Sequence, residues 1–110
     1  MKPENDSFFS QAMKKMDRQR ADAEARVKRL PCNQGGTVHE YLDQQGLNSN
    51  VEDHGWSTTS VDEGFEVERL MILLGTKELT YRWRVTPDGK IRAVNGKARS
   101  ITGSVDPIVA

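Results

Sequence analysis

A chain of 110 residues has room for one domain, and with 35% hydrophobic and 29% charged residues its core must be small. The mean hydropathy is −0.70, and the longest apolar run, Leu70 to Leu74, falls far short of the roughly 20 residues that cross a bilayer. A formal net charge of zero argues against a dedicated duplex binder, which carries a clear basic excess.

The neutral total is divided along the chain. Residues 1–31 hold eight Lys or Arg against five Asp or Glu, and residues 69–110 hold eight against three. Between them, from Cys32 to Glu68, lie eight carboxylates and no Lys or Arg. A fold that lays the flanks on the middle neutralises itself, whereas one that does not shows charged faces to a partner. No apolar h-region follows Met1-Lys2-Pro3, so no secretory leader is expected. The single cysteine, Cys32, fits a reducing cytosol.

Residues 7–30 read as a helix, capped by Asn5, Asp6 or Ser7 and stopped by Pro31 with Gly35-Gly36. Its apolar stripe steps by four and three through Phe9, Met13, Met16, Arg20, Ala23, Val27 and Leu30. Such a stripe serves either as the inner face of a helix lying on its own domain or as a pairing seam on another chain. Thr37-Val38-His39-Glu40 has the form of a capping box and opens a short helix with Val38, Tyr41 and Leu42 on one side, ended by Gly46. Residues 47–55 are polar and turn-like and are expected to form a loop.

From Trp56 the period becomes two, giving strands at about 56–61, 65–74, 78–86 and 90–95. Asp62-Glu63-Gly64 and Pro87-Asp88-Gly89 are expected to close three-residue hairpins. The favoured register pairs Leu73 with Leu79, Met71 with Tyr81, Val67 with Val85 and Glu68 with Arg84, and sets Arg69 across from Trp83. One sheet face is then apolar: Phe65, Val67, Met71, Leu73, Leu79, Tyr81, Trp83, Val85, Ile91 and Ala93. The other carries Arg82, Arg84, Lys90 and Arg92 beside Glu66 and Glu68, and a separate patch of Leu70, Ile72 and Leu74, joined by Trp56. Residues 97–102 are compatible with a fifth strand or a helical turn.

A capped helix followed by a meander that ends in Tyr81-Arg82-Trp83-Arg84-Val85 and Asp88-Gly89-Lys90-Ile91 resembles small helix-on-sheet domains of PepSY or cystatin-like type, over about residues 37–95. Such domains bind proteins or inhibit enzymes, so the resemblance implies an interaction module.

Cys32, His39 and His54, with Glu52 and Asp53, are the residues from which a metal or nucleophile site could be built, but their separations match no zinc pattern. Gly35-Gly36 lacks the lysine and preceding strand of a phosphate loop. No catalytic, cofactor or metal site is therefore expected. The candidate partner-binding residues are the cations Arg82, Arg84, Lys90 and Arg92, the patch Leu70, Ile72 and Leu74, and the helix methionines Met13 and Met16. The cations suit phosphates or an acidic protein surface, although no exposed ring accompanies them for base stacking.

The expectation is an α+β protein with a long N-terminal helix and linker (1–36), an α+β domain (37–104) made of a short helix and a four-stranded antiparallel meander, and a tail (105–110). Its expected role is non-catalytic protein–protein interaction as a cytosolic homodimer. A nucleic-acid-associated protein is the alternative, and a cysteine or metal enzyme a remote one. No membrane partner is expected.

Overall fold

The computed structural model describes residues 3–105 and, within the first helix, the side chains of residue 11 and of 13 onward. The architecture is α+β: helices α1 (Pro3–Lys28) and α2 (Val38–Gly46), strands β1 (Val51–Val61), β2 (Gly64–Leu73), β3 (Lys77–Val85) and β4 (Ile91–Ala93), and helix α3 (Gly96–Thr102). The strands form one antiparallel meander in the order β1-β2-β3-β4. Among the described residues no helix is long and apolar enough to cross a membrane.

Helix α1 begins earlier than expected, with Pro3 in its first turn, where a missing N–H removes no helical bond. Asn5, Asp6 and Ser7 therefore lie inside the helix rather than at its cap. Ala23 and Val27 are buried and Leu30 half-buried, so the C-terminal part of the stripe packs on its own domain. The expected boundary at 36/37 falls within this core, because Ala23, Val27 and Cys32 share it with Val38 and Leu42. The capping box of α2 forms as expected: Glu40 N–H donates to Thr37 Oγ1 at 3.2 Å, and Thr37 N–H donates to Glu40 Oε1 at 2.9 Å. Residues 96–102 are helical, opened by Asn95, whose Oδ1 accepts from Ala98 N–H at 3.0 Å. The Asn95 amide also donates to the Thr80 carbonyl at 2.8 Å, tying α3 to β3.

All three helices pack on one sheet face, around Val67, Met71, Trp83 and Val85. Trp83 is fully buried with its indole N–H satisfied by Thr102 Oγ1 of α3 at 3.1 Å. The turn over Thr86–Lys90 matches its sequence signature, with Gly89 N–H bonded to Thr86 O and Thr86 N–H to Lys90 O, both at 2.9 Å. At the first hairpin Val61 instead pairs directly with Gly64, leaving a two-residue loop.

Three expectations about the sheet are corrected. The β2–β3 register differs by two residues: Glu66 faces Arg84, Val67 faces Trp83, Glu68 faces Arg82 and Arg69 faces Tyr81. A two-residue slip keeps every side chain on its face, so the apolar face is unchanged while the partners differ. The expected loop at 47–55 is partly strand, since β1 begins at Val51. Between Asp53 and Gly55 the β1–β2 register shifts, with His54 as the extra residue of a bulge. The bulge reverses the alternation, so Asp53 and Trp56 both point to the helix side, and Trp56 does not join the outer patch.

Both flank Arg69, which is 3% exposed on the otherwise apolar face of β2. Its guanidinium grips Asp53 through Nε–Oδ1 at 2.9 Å and Nη2–Oδ2, and reaches Asp43 of α2 through Nη1 at 3.1 Å. It also lies over the Trp56 ring, 5.4 Å from the centroid, while Lys28 of α1 lies 5.8 Å from the same ring. Burial alone would lower the Arg69 pKa, but the bonds it donates to Asp53 and Asp43 outweigh it and hold the group above its ordinary value. The hydrogen bond from Arg69 in turn holds the Asp53 carboxyl below its ordinary 3.8.

Two outcomes are expected from this packing. Asp53→Ala leaves a buried cation half-paired and lowers the unfolding free energy by about 3 kcal/mol in denaturant titration. Because the Asp53 pKa is lowered by folding, its contribution is complete above the ordinary value and fades as pH falls through the lowered one; the wild type thus loses stability with acid below about pH 4, and Asp53→Ala loses less. Gly46→Ala tests the same contact from α2. Alanine is the better helix former by about 1 kcal/mol, yet its Cβ would lie 2.5 Å from Asp53 Oδ2, so the variant is expected to melt lower than wild type, with no such loss in an Asp53→Ala background.

Candidate functional site

The sheet face opposite the helices is built on cross-strand charge. Arg82 Nε meets Glu68 Oε1 at 3.2 Å and Arg84 Nη2 meets Glu66 Oε2 at 3.6 Å, each directly opposite its partner on the neighbouring strand. The expected stripe of cations is thus split. Arg82 and Arg84 are each engaged by a carboxylate of β2, and Arg84, with Lys90 and Arg92 but without Arg82, also lines one groove of about 500 Å3 at the β4 end of the sheet. Arg99, from α3, joins them there, and Glu63 is the one carboxylate among the described lining residues. Sequence reasoning missed Arg99 because the element that carries it was undecided between strand and helix.

Leu70 and Ile72 lie half-buried on this outer face, on β2 between Thr80 and Glu78 of β3 and Gly55 and Glu52 of β1. Leu74 does not extend that row. It sits in the β2–β3 turn at φ 55°, 68% exposed, followed by Gly75 at φ 76°. Helix α1 docks on the opposite face, with Ala23 and Val27 against Val67 and Met71, and does not cover Leu70 and Ile72. The side chain of Phe9, the first residue of the expected stripe, lies outside the described residues.

Met13 and Met16 are 64% and 48% exposed. They continue the stripe of Ala23 and Val27, but at this level the described side chains of α1 stand in solvent. Gln19, Asp22, Ala23 and Arg26 border a cleft of about 440 Å3 against Phe65 and the 86–89 turn, and from Gln11 to Gln19 every described side chain is exposed. The turns near this end carry Asp62, Glu63 and Asp88, all exposed. Thr86 Oγ1 donates to Asp88, and this bond holds the Asp88 carboxyl below its ordinary pKa.

The chemically reactive residues are placed separately. Cys32 is buried in the core, its thiol donating to Gln34 Oε1 at 3.3 Å. His39 pairs with Asp43 at 3.2 Å on α2, and His54 with Glu52 at 3.0 Å on the bulge of β1. Among the described residues no three His, Cys, Asp or Glu side chains are arranged to hold a metal ion. Comparison with family models, curated proteins and solved structures finds no match for this chain.

Leu74 is a leucine in the left-handed region, which L side chains occupy at a cost of roughly 1 kcal/mol or more. Leu74→Asn, exchanging it for a residue that tolerates this conformation, is expected to raise stability by roughly 0.5–1 kcal/mol in thermal or chemical unfolding.

Proposed function

We propose that the protein is a non-catalytic interaction domain of a reducing compartment such as the cytosol, and that it self-associates through the arm formed by α1 before Ala23. The observation that carries this reading is the apolar stripe of α1, which runs on from the buried Ala23 to the exposed Met16 and Met13. The occupant proposed for it is a second copy of the chain. Residues 11–22 span about 18 Å as helix and carry Lys14, Lys15, Arg18 and Arg20 against Asp17 and Asp22. Two such arms laid antiparallel across a two-fold axis bring methionine against methionine and carry the basic end of each arm toward the partner's Asp62, Glu63 and Asp88. Electrostatic matching of this kind sets orientation and encounter rate, while the buried methionines supply the affinity. The neutral total charge with a basic arm and acidic turns supports the same reading, because complementary charge is then available within one sequence. The resemblance to PepSY or cystatin-like modules leans toward interaction as well.

Sedimentation equilibrium at tens of micromolar is expected to give twice the 12.4 kDa chain mass, with dissociation promoted by salt. Met13→Ser with Met16→Ser should weaken the dimer at least about tenfold with an unchanged circular dichroism spectrum. A monomeric mass at high micromolar concentration would remove the proposal.

A further inference from the structure

We propose that the open edge of β1 from Trp56 to Val61 is a docking site for an extended peptide strand of a partner protein, one that carries lysine or arginine at the end of an uncharged stretch. The two edges of the sheet are treated differently. At the β4 edge the strand is three residues long, Arg92 is bridged by Val105, and Ala93 N–H donates to Ser104 O at 3.2 Å. At the other edge β1 runs for eleven residues with β2 on one side and no strand on the other.

The alternation of hydrogen bonds fixes which groups are open. Just past β2, Leu74 N–H donates to Asn50 O at 2.8 Å, so the even-numbered residues of β2 bond toward β1. The bulge adds its residue to β1 and leaves the alternation along β2 unbroken. Ser57, Thr59 and Val61, opposite Glu68, Glu66 and Gly64, return those bonds. The N–H and C=O groups of Trp56, Thr58 and Ser60 therefore point away from the sheet, and among the described residues no group bonds to them. Natural sheets blunt such an edge with charge, proline or a bulge. Here the bulge at His54 blunts the 51–55 half alone, while Trp56-Ser57-Thr58-Thr59-Ser60-Val61 contains no charge and no proline. Helix α1 meets this stretch through side chains, with Thr58 Oγ1 donating to Glu24 at 3.0 Å, and leaves its backbone edge unbonded.

Charge selects the occupant. No Lys or Arg lies on β1, and the turn after it carries Asp62 and Glu63, both exposed and without an ion pair among the described residues. Glu66 and Glu68 do not add to this, since Arg84 and Arg82 hold them. A cation on the incoming strand beside the turn meets both carboxylates. A second β1 laid antiparallel on the first would instead bring each acidic turn toward Glu52 and Asp53 of the other copy, so β1 is a poor partner for itself. In strand addition the backbone bonds supply affinity and the alternate side chains supply selectivity. This docking does not rest on self-association through α1, although both draw on Asp62 and Glu63.

The test is a titration of the full chain at low ionic strength with the peptide acetyl-Lys-Thr-Val-Thr-Val-Lys-amide, followed by backbone amide spectra. Saturable shifts are expected at residues 56–61, with slowed hydrogen exchange at Trp56, Thr58 and Ser60. The same peptide with glutamate for both lysines should bind at least about tenfold more weakly, and one with proline for both valines should not bind. Ser60→Pro removes an outward N–H at a position where an edge strand tolerates proline, and Thr59→Lys sets a cation on the exposed side of the edge. Each should weaken the lysine peptide at least about tenfold with circular dichroism unchanged, while Lys77→Gln at the far end of the sheet leaves binding unaltered. The proposal is overturned if the lysine peptide does not saturate at millimolar concentration, if the glutamate peptide binds as tightly, or if both edge variants bind like wild type. It is also overturned if the Trp56, Thr58 and Ser60 amides, without peptide, become protected as protein concentration rises, which would assign the edge to a second copy.

Discussion

The bidentate grip of Arg69 on Asp53 organises the molecule. A buried guanidinium is tolerable only when its donors are taken, and here they are taken from two directions. Asp53 comes from the edge strand and Asp43 from the short helix, so β1, β2 and α2 are fixed to one another through a single side chain. Trp56 lies over the same guanidinium and under Lys28, which brings α1 into the arrangement, and Trp56 in turn lies 6.2 Å from Trp83 at the centre of the core. Several other features serve this contact. The bulge at His54 turns Asp53 inward, Gly55 N–H donates back to Asp53 Oδ1 at 2.9 Å, and Gly46 leaves room for the carboxylate at the end of α2.

The bulge also marks where the sequence ceased to be readable. Strict alternation puts Asp53 and Trp56 on opposite sides of a strand, and polar residues around them suggest a loop. One inserted residue brings both to the same side, and its reason is a partner sixteen positions away, beyond the reach of local pattern. The β2–β3 register failed for a related reason. Both registers keep the apolar face inward and both oppose carboxylates to arginines, so side-chain chemistry alone does not choose strongly. The tight turn decides, and it places Leu74 where asparagine or glycine is the usual residue. By contrast, the capping box at Thr37 and Glu40 and the turn at Pro87-Asp88-Gly89 were legible because their chemistry is confined to four or five consecutive residues.

Of the candidate site residues, the sequence placed Arg84, Lys90 and Arg92 on a common surface, and the groove unites them. It could not separate Arg82, whose pairing with Glu68 follows from the corrected register. Nor could it tell that Met13 and Met16 belong to a different region of the molecule from Leu70 and Ile72, because that depends on which sheet face the helix takes. The sequence offered Arg69 as a neighbour of Trp83 and Asp53 as a companion of the histidines, and the pairing of the two was not legible in it. Much of the acidic middle of the chain is accounted for by such pairing: Asp43 and Asp53 serve Arg69, and Glu66 and Glu68 serve the outer face.

Helix α1 is half docked and half projecting, and this has a consequence for how the projecting half can exist at all. A dozen residues are marginal as an isolated helix, because the first turn fixes several dihedrals for a single hydrogen bond. Here the first turn need not form in the projecting segment. Ala23, Val27 and Leu30 hold the C-terminal turns against the core, and each preceding residue only extends an existing ladder. The domain thus acts as a template from which the helix grows outward, and protection of its backbone amides should decline steadily with distance from Ala23 instead of ending at one sharp boundary.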